Sequence, residues 1–512
     1  MSFQSKVRSL VAADPGLPNP NPTAAFWQLP MHDTVGSIQS LALPTETDVI
    51  VIGSGITGTS VTKALLEEQT LFPNINVTVL EARTLCSGAT GRNGGHCVTA
   101  AGHKFTTWVD TYGVENARAI ARFSLLNMER VQEVANGMSE TIRTRSEIRR
   151  VQKLCFTSDP VIWKKIQDSV ALFAREIPEH ASHNRLVSAE ELEKEWGVVN
   201  PLGGYAQPAG AIWPYRFCTE VMAEMLRRYA SRLNIETRTP VTSVVDHGAN
   251  ATGHRYTITT PRGSIKAHRV VYCTNGYSAH LLPQLRGKLH PFRGHMSTQA
   301  MPERFPSWGG ERSWSFIQPI RIDPTTDMYH FGLYYLQQNA VTKDLFVGVE
   351  NQRIDECLGS DDSFVSEASV QDLPNCLPRM FSVLNKKGDT ASAADFEKPR
   401  LKCIWSGVMG MTSDGLPLVG QLPKSATGRA SVGQEWIAAG FQGYGMDKCW
   451  LTGEALVAMM AGKDVSSWFP SAYLVSDRRI NEDLSIEQTA DAYVQMAEAT
   501  VKEQALPTKA RL

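Results

Sequence analysis

The pattern of apolar and polar residues between Asp48 and Glu81 predicts a strand, a glycine turn, a helix and a second strand. Asp48–Ile52 is a short and nearly continuous apolar run, which is typical of a strand covered on both faces of a parallel sheet. A turn with three glycines follows and leads into apolar residues at helical spacing, and Val77–Leu80 predicts the returning strand. The segment therefore predicts a βαβ unit in an α/β fold.

Shorter patterns predict further elements downstream of this unit. Tyr256–Ile258 and Ser264–Val271 flank a Pro-Arg-Gly turn and predict a β-hairpin. Met328–Tyr335 and Leu345–Glu350 are strand candidates in a region of mixed aromatic, polar and charged residues, which favours an antiparallel sheet. Trp436–Ala439 predicts another buried strand, directly before a further glycine-rich turn and a helix.

Composition and charge exclude several classes of protein. The 512 residues include 51 Lys and Arg against 52 Asp and Glu, so the charge gives no electrostatic reason to expect a nucleic acid or an anionic membrane as partner. No apolar run reaches the roughly 18 residues that span a bilayer. The nine cysteines form no CxxC pair and no Cys/His metal-ligand spacing, so we expect a reducing compartment rather than a disulfide framework, and no metal site.

The turn after the first strand has the Gly-x-Gly-x-x-Gly spacing of a dinucleotide-binding site. Gly53 permits the tight turn, Gly55 lets the backbone approach a pyrophosphate, and Gly58 lets the helix pack closely on the strand. The helix N-terminus offers N–H groups to the phosphates. Glu81 closes the second strand, where its carboxylate can accept both ribose hydroxyls and would repel a 2′-phosphate. These residues favour FAD or NAD over NADP.

A second glycine-rich loop distinguishes between these two dinucleotides. It extends from Cys86 to His96, directly after the ribose-binding strand, and reads Cys-Ser-Gly-Ala-Thr-Gly-Arg-Asn-Gly-Gly-His. A minimal NAD fold has no use for such a loop, whereas the longer FAD molecule would pass it, with its pyrophosphate and flavin ring meeting backbone N–H groups. The sequence therefore predicts FAD.

The chain resembles the D-amino acid oxidase superfamily of FAD-dependent enzymes, in the branch of sarcosine oxidase, glycine oxidase and γ-glutamylputrescine oxidase-like enzymes. The resemblance covers about residues 46–465 and rests on the Gly-Ala-Thr-Gly-Arg-Asn-Gly-Gly loop and on five later segments. These segments are Thr239–Val241, Cys273–Tyr277, Pro291–Gly294, Trp405–Gly420 and Gly440–Met446.

The resemblance implies a Rossmann-type FAD-binding domain that is interleaved with a smaller α+β substrate domain built on an antiparallel sheet. The implied limits are 46–105, 208–290 and 400–470 for the FAD-binding domain, and 106–207 and 291–399 for the substrate domain. The first residues are rich in Pro and Asn and show no sustained periodicity, so we expect a surface arm over 1–45 that Phe26 and Trp27 hold. A surface tail is expected over 471–512.

The resemblance also implies which residues hold FAD. Besides the three glycines and Glu81, they are Ser54, Ile56, Thr57, Ala82, Arg83, Ser87, Thr90, Arg92, Asn93, Gly94, Gly95, His96, Val241, Thr274, Gly443, Tyr444, Gly445 and Met446. The Gly440–Met446 turn is expected to place backbone N–H groups and a helix N-terminus against the flavin. Cys403 matches a cysteine that forms a thioether to the flavin in some relatives. His96 is a competing attachment point, and many relatives bind FAD non-covalently.

Members of this superfamily oxidise a C–N bond by hydride transfer from carbon to flavin N5, and O2 then reoxidises the flavin to give H2O2. The resemblance therefore implies a small-molecule amine or amino-acid-like substrate and O2 as partners. The candidate cavity residues are Arg293, Tyr334, Tyr335, Met409 and Tyr444. Met409 stands where amino-acid-using relatives often have an Arg that clamps a carboxylate, which favours a larger or less anionic amine. Arg293 binds an anion or forms a structural salt bridge, and we expect one of the two adjacent tyrosines to face away from the cavity.

Alternative functions stay open at this point. A flavin oxidoreductase that tailors a secondary-metabolite intermediate would be yellow but inactive on common amines. A non-catalytic nucleotide-binding protein would not be reduced by any substrate. The sequence likewise leaves oxidase and dehydrogenase open, because the lysine that activates O2 in sarcosine oxidases has no motif.

The last three residues, Ala510, Arg511 and Leu512, resemble the Ser-Lys-Leu peroxisomal address. We therefore expect recognition by a peroxisomal import receptor, with a cytoplasmic location as the alternative. An oxidase that produces H2O2 also belongs beside catalase, which favours the peroxisome.

Overall fold

A computed structural model describes residues 2–68, 72–248, 253–384 and 399–505 of the chain. The C-terminal tripeptide therefore lies outside the described residues. Within them, no helix is both long and apolar enough to cross a membrane.

Helices pack on the nucleotide-binding sheet and flank a second sheet. Their bounds are α1 Phe3–Ala12, α2 Ile56–Glu67, α3 Ala101–Tyr112, α4 Val114–Asn136, α5 Glu140–Ser146, α6 Pro160–Glu176, α7 Ala189–Trp196, α8 Pro214–Arg228, α9 Ser278–Leu281, α10 Ile354–Cys357, α11 Glu367–Cys376, α12 Lys424–Thr427, α13 Cys449–Met460 and α14 Ile486–Ala505.

The strands follow the chain in the order β1 Glu46–Ile52, β2 Val77–Leu80, β3 His96–Cys97, β4 Arg149–Thr157, β5 Arg185–Ser188, β6 Gly203–Ala211, β7 Leu233–Glu236, β8 Ser243–Asp246, β9 Tyr256–Thr260, β10 Gly263–Tyr272, β11 Leu289–Ala300, β12 Arg312–Ile317, β13 Arg321–Asp323, β14 Met328–His330, β15 Leu333–Gln338, β16 Leu345–Val349, β17 Asn351–Arg353, β18 Arg400–Thr412, β19 Leu418–Gln421 and β20 Glu435–Ala439.

The first sheet has the strand order β19-β20-β10-β1-β2-β7, and its five strands from β20 to β7 are parallel. Its central strands are buried runs of apolar residues, as expected for a parallel sheet that is covered on both faces. Helices α2 and α13 pack closely on one face, and the Ser60 hydroxyl donates to the Trp450 carbonyl between them. The predicted α/β fold is confirmed, and so is the predicted hairpin, which β9 and β10 form.

The second sheet has the order β18-β11-β16-β15-β12-β4-β6-β3 and is antiparallel apart from the β12–β4 pair. Several predicted limits disagree with its pairing, since β3 and the start of β11 also lie within segments predicted for the FAD-binding domain. Strand β18 pairs with β11 along its length, so residues 400–412 extend this sheet instead of the nucleotide-binding sheet. Strand β6 continues past the predicted limit at 207 to Ala211. Ladder hydrogen bonds decide these limits, and the apolar pattern of one strand does not reveal its partner.

The strand predicted over Met328–Tyr335 is two strands in different sheets. Gly332, with a φ of +74°, separates β14 from β15. Strand β14 pairs with β13 and β17 in a small three-stranded sheet, whereas β15 lies inside the second sheet. A glycine in a left-handed conformation breaks the extended chain here, which the apolar pattern alone does not indicate.

The N-terminal segment is more deeply integrated than a surface arm. Val7 and Val11 of α1 are buried in a cluster with Ala490 of α14, so the two ends of the described chain pack together. Trp27 is 1% exposed and stacks on Phe346 with ring centroids 3.8 Å apart. Phe26 packs beside this pair. The expected anchoring by Phe26 and Trp27 is therefore present, but the amphipathic helix α1 was not predicted.

The segment after residue 470 is held by a buried arginine. The Arg479 guanidinium is 6% exposed and donates to the Asp414 carboxylate at 2.8 Å and 3.2 Å. It also donates to the Pro417, Leu416 and Tyr473 carbonyl oxygens. The segment is thus tied to the nucleotide-binding half of the molecule by a charge-assisted network.

We predict that Arg479→Met lowers the free energy of unfolding by about 3–5 kcal/mol, because it leaves a partly buried carboxylate and several carbonyl groups without donors. The measurement is the midpoint of urea denaturation, followed by circular dichroism. Arg478→Met is the matched control, since the Arg478 side chain is 77% exposed and lies near Glu482 at 3.7 Å. That control should change stability by less than about 1 kcal/mol. Equal midpoints for the two variants would contradict the prediction.

Candidate active site

An elongated cavity lies where the carboxyl ends of β1 and β2 face the second sheet. In open α/β sheets this edge is where ligands bind. Most of the predicted FAD-binding residues line it: Gly53, Ser54, Gly55, Ile56, Thr57, Glu81, Ala82, Arg83, Thr90, Arg92, Asn93, Gly94, His96, Val241, Thr274, Gly443, Tyr444, Gly445 and Met446. Of the predicted substrate residues, Tyr335, Met409 and Tyr444 line it.

The glycines of the first turn are required by close backbone packing. Gly53 has a φ of +104°, and a Cβ there would lie 2.6 Å from the Cys273 carbonyl oxygen. A Cβ at Gly58 would overlap the Gly53 carbonyl, so Gly58 packs helix on strand and does not line the cavity. Gly55 precedes α2, and a Cβ there would lie 3.0 Å from the Thr90 hydroxyl.

The second glycine-rich loop closes over the start of α2. The Ile56 N–H donates to the Thr90 hydroxyl at 3.0 Å. Two loops that are separate in sequence thus meet at one helix N-terminus, where backbone N–H groups and the helix dipole favour an anion such as a pyrophosphate.

Glu81 is oriented by three donors at the end of β2. Its Oε2 accepts from the Ser54 N–H at 3.2 Å and the Ser54 hydroxyl at 2.6 Å, and its Oε1 accepts from the Arg83 N–H at 2.9 Å. A carboxylate has about four lone-pair directions, so at least one is left for a ribose hydroxyl. The carboxylate is therefore fixed in place before a ligand binds.

Arg83 and Arg92 line the cavity, but their donors are used within the protein. Arg83 donates to both oxygens of the buried Asp362 at 2.9 Å and 3.0 Å. Arg92 donates to the Ser406 and Ser87 carbonyl oxygens. Burial lowers the pKa of Arg92 to about 10, and nearby Asp362 opposes this shift. These arginines connect the second loop to the second sheet.

Cys403, the candidate for a thioether, does not line the cavity. Its thiol donates to the Ala24 carbonyl at 3.3 Å, on the side of β18 that the N-terminal segment covers. Burial raises the pKa of this thiol, which disfavours the nucleophilic thiolate. His96 does line the cavity; burial lowers its pKa to about 3, so its imidazole is neutral.

Four other predicted residues also lie outside the lining. Ser87 accepts from Arg83, and Gly95 packs against Gln337. Arg293 is 1% exposed, donates to Gln352 and the Asp361 carbonyl, stacks on Phe364 and lies 3.9 Å from the Glu356 carboxylate. Tyr334 donates to Asp372 at 2.7 Å on the opposite face of β15 from Tyr335. The alternation of side chains along a strand explains why only one of the two tyrosines reaches the cavity.

The wall opposite the glycine turns belongs to the second sheet. The Tyr335 hydroxyl donates to Glu350 Oε1 at 3.0 Å. Glu350 is 2% exposed, and burial raises its pKa to about 8. This residue was missed as a site residue, although the sequence signal was present: an acidic residue ends the apolar run that predicted β16.

Sequence reasoning also missed a basic group and the N-terminal contribution. Lys153 of β4 lines the cavity and is 3% exposed. Gly16, Leu17 and Pro18 of the N-terminal segment also line the cavity. Strand pairing places Lys153 there, and the packing of the N-terminal segment places the other three, so a one-dimensional pattern contains neither.

The Gly440–Met446 turn closes the other end of the cavity. Gly443 has a φ of +73°, and Lys104 Nζ lies 4.8 Å from the centre of the Tyr444 ring. Burial, assisted by Lys448, lowers the pKa of Lys104 to about 8. Helix α13 begins at Cys449, which also lines the cavity, so a helix N-terminus does lie at this end.

The chemistry of the cavity lining suits FAD. The cavity connects an acidic residue for a ribose, a helix N-terminus for a pyrophosphate and a glycine turn beside a partly apolar chamber. Where a Cβ would crowd the first turn, the chain has glycine. Among the residues that the structure describes, no three His, Cys, Asp or Glu side chains are grouped to hold a metal.

Comparisons with known proteins agree with this geometry. No match to a curated protein sequence reaches significance. Among solved structures, glycine oxidase from Geobacillus kaustophilus aligns at 18% identity with a TM-score of 0.61, over 85% of this chain and 99% of that one. L-proline dehydrogenase from P. horikoshii aligns at 18% identity with a TM-score of 0.59, over 84% and 98% of the two chains. NikD, an unusual amino acid oxidase essential for nikkomycin biosynthesis, aligns at 17% identity with a TM-score of 0.55, over 83% and 97%. At these identities the likeness shows the fold.

A family model described as FAD dependent oxidoreductase matches residues 48–459, which is most of the chain. The match begins at the first strand and ends in the helix that follows the last glycine turn, so it includes both walls of the cavity. The protein therefore belongs to the FAD dependent oxidoreductase family and is an enzyme whose cofactor is FAD.

Proposed function

We propose that the enzyme oxidises the C–N bond of an amine or amino-acid-like substrate by hydride transfer to flavin N5, with O2 as the reoxidant and H2O2 as a product. The observation that carries this proposal is the partly apolar chamber between the Gly443 turn and the Tyr335–Glu350 pair. Bound FAD supplies the electron-accepting chemistry.

The protein's own residues would bind and orient FAD and the substrate. Glu81 and the start of α2 would hold the ribose and pyrophosphate. Phe292, Met296 and Met409 line the chamber and would exclude water from the reacting carbon. Such a site needs a neutral amine at the moment of transfer, and Glu350 is the carboxyl in the chamber wall that could exchange a proton with it.

The part of the second-sheet wall next to β16 and β18 favours a substrate with little negative charge, whereas Lys153 lies on β4 of the same sheet. Glu350 lies in this part of the wall, and the thioether Met409 stands where an arginine would clamp a carboxylate. The neighbours named above are oxidases or dehydrogenases of amino acids, which supports a C–N bond as the target. A tailoring enzyme for a secondary metabolite is the alternative, and the likeness to NikD, which is essential for nikkomycin biosynthesis, supports it.

The purified enzyme is predicted to be yellow, to be bleached by an amine without air, and to form H2O2 with that amine in air. The measurement is a flavin spectrum followed by a peroxidase-coupled assay over primary amines, secondary amines and amino acids. Bleaching without peroxide formation would indicate that the enzyme is a dehydrogenase rather than an oxidase. A yellow enzyme that no panel compound bleaches would contradict the proposal and favour the tailoring alternative.

Gly55→Val is predicted to remove most of the bound flavin. Its Cβ would lie 3.0 Å from the Thr90 hydroxyl, and the two added methyl groups would fill the space that a pyrophosphate needs. The ratio of flavin to protein absorbance reports the loss, with circular dichroism as a check of folding. Gly137→Val is the control, since Gly137 is exposed at the end of α4 with a φ of −75° and its Cβ would lie 3.5 Å from its nearest neighbour. Full flavin content in Gly55→Val would contradict the assigned contact.

A peroxisomal location remains a proposal, with import through a receptor that binds residues 510–512. It is supported by the resemblance of Ala-Arg-Leu to the Ser-Lys-Leu address and by an H2O2-producing reaction. A fluorescent protein fused before residue 1 should give punctate staining that deletion of the three residues abolishes. Diffuse staining with the native C-terminus free would contradict it and favour the cytoplasm.

A further inference from the structure

Glu350 has a buried oxygen without a partner in the cavity wall. It directly follows β16, and its carboxyl group is 2% exposed. Oε1 accepts from the Tyr335 hydroxyl at 3.0 Å, whereas Oε2 is buried and has no hydrogen-bond partner. Buried carboxylates are normally paired with a cation or with several donors, because an unpaired buried charge is strongly unfavourable.

The groups that interact directly with Glu350 do not include a cation, although the buried Lys153 of β4 lines the same cavity. The titratable groups that interact with it are Tyr335, Tyr329, Tyr444 and Cys357, and burial raises the pKa of each, so all are neutral at physiological pH. Arg293 is not among these groups: its Nε and Nη1 donate to Gln352 and the Asp361 carbonyl, and its buried Nη2 has no hydrogen-bond partner among the described residues. With burial as the main cause and the Tyr335 hydrogen bond opposing it, the pKa of Glu350 is raised to about 8.

The position of the carboxyl group is fixed by its neighbours. A Cβ at Gly348 would overlap the Tyr335 ring, and a Cβ at Gly94 would lie 2.8 Å from it, so both glycines make room for the ring. A Cβ at Gly294 would lie 2.9 Å from Glu350 Oε1 and 3.1 Å from the Met409 methyl group. The Tyr335–Glu350 pair is packed between β11, β15 and β16. The unpaired Glu350 oxygen is therefore held in a fixed position in the cavity wall.

We propose that Glu350 Oε2 is the binding point for a positively charged nitrogen of the substrate, which makes the enzyme selective for cationic amines over neutral or anionic compounds of the same shape. This inference rests on the proposed function and names its substrate class. A cation that enters the chamber supplies the missing countercharge and forms a charge-assisted hydrogen bond to the carboxylate. Tyr335 is the positioning residue, because its hydroxyl holds Oε1 of the carboxyl group.

Below pH 8, binding of a cation to Glu350 releases the proton of its carboxyl group. The free enzyme then holds Glu350 mainly as the neutral acid, and a cation binds only after that proton leaves to solvent. Affinity should therefore rise about tenfold per pH unit up to about pH 8 and level off above it. No oxidation is involved, so this binding can be measured apart from turnover.

The experiment uses the FAD-loaded enzyme with guanidinium and urea, two planar molecules of the same shape that differ in charge. Guanidinium keeps its charge over the whole range. At millimolar concentration and constant ionic strength, calorimetry or the flavin difference spectrum gives the dissociation constant between pH 6 and pH 9. In the unmodified enzyme guanidinium should follow the pH dependence above, whereas urea should bind weakly at every pH.

Three variants isolate the carboxyl group. Glu350→Gln keeps the shape and removes the charge, so guanidinium affinity should fall at least about tenfold at pH 9 and lose its pH dependence. Asp372→Asn is the matched control, because Asp372 accepts from Tyr334 on the opposite face of β15. It should leave guanidinium binding unchanged. Tyr335→Phe removes the donor that lowers the pKa of Glu350, so the midpoint of the profile should move to higher pH; it also keeps the test valid if Glu350→Gln does not fold.

The outcomes separate this inference from the proposed function. Guanidinium binding that Glu350→Gln leaves intact, or that is equal at pH 6 and pH 9, would overturn the inference. Peroxide formation with a cationic amine whose KM is the same in Glu350→Gln would overturn it too, while the proposed function would stand. If guanidinium binds at Glu350 in a charge-dependent way but the enzyme oxidises no amine, the cation site would be supported and the oxidase function would be contradicted.

Discussion

The close packing of α2 against β1 and β10 is the constraint on which the site depends. Gly53 lies against the Cys273 carbonyl, and Gly58 lies against the Gly53 carbonyl, at separations that leave no room for a side chain. This packing fixes the start of α2 at the carboxyl ends of β1 and β2. Glu81 and Thr90 both lie beside the start of α2. Glu81 accepts hydrogen bonds there, and the Thr90 hydroxyl accepts from the first N–H of the helix.

The second sheet completes the cavity by register. Antiparallel pairing aligns Met296, Gly348, Tyr335 and Ser315 in one row across four strands, although they are distant in sequence. Since side chains alternate between the two faces of a sheet, a slip of one residue in any of these strands would turn its member of the row away from the cavity. The chemistry of the substrate side therefore depends on strand pairing.

Two buried acidic residues, Asp362 and Glu350, differ in how they are paired. Asp362 is neutralised by Arg83 and lies near Arg92, so this group serves to join the second loop, the N-terminal segment and the second sheet. Glu350 is as deeply buried but has a phenol as its hydrogen-bond partner. A paired buried charge such as Asp362 stabilises the local geometry. A buried carboxyl group with an unpartnered oxygen in a cavity wall, such as Glu350, is instead a candidate contact for a ligand.

The sequence by itself determined the nucleotide-binding half. The first two strands, the glycine turn and Glu81 lie close together in sequence. The apolar runs predict the strands, and the spacing of the glycines predicts the turn. Tertiary structure decided the rest. Pairing of β18 with β11 turned Cys403 toward Ala24, strand alternation sent Tyr334 and Tyr335 to opposite faces, and packing of remote segments left Glu350 buried in the cavity wall. These outcomes depend on which distant segments pair and on which groups remain without a partner, and no local pattern along the chain contains that information.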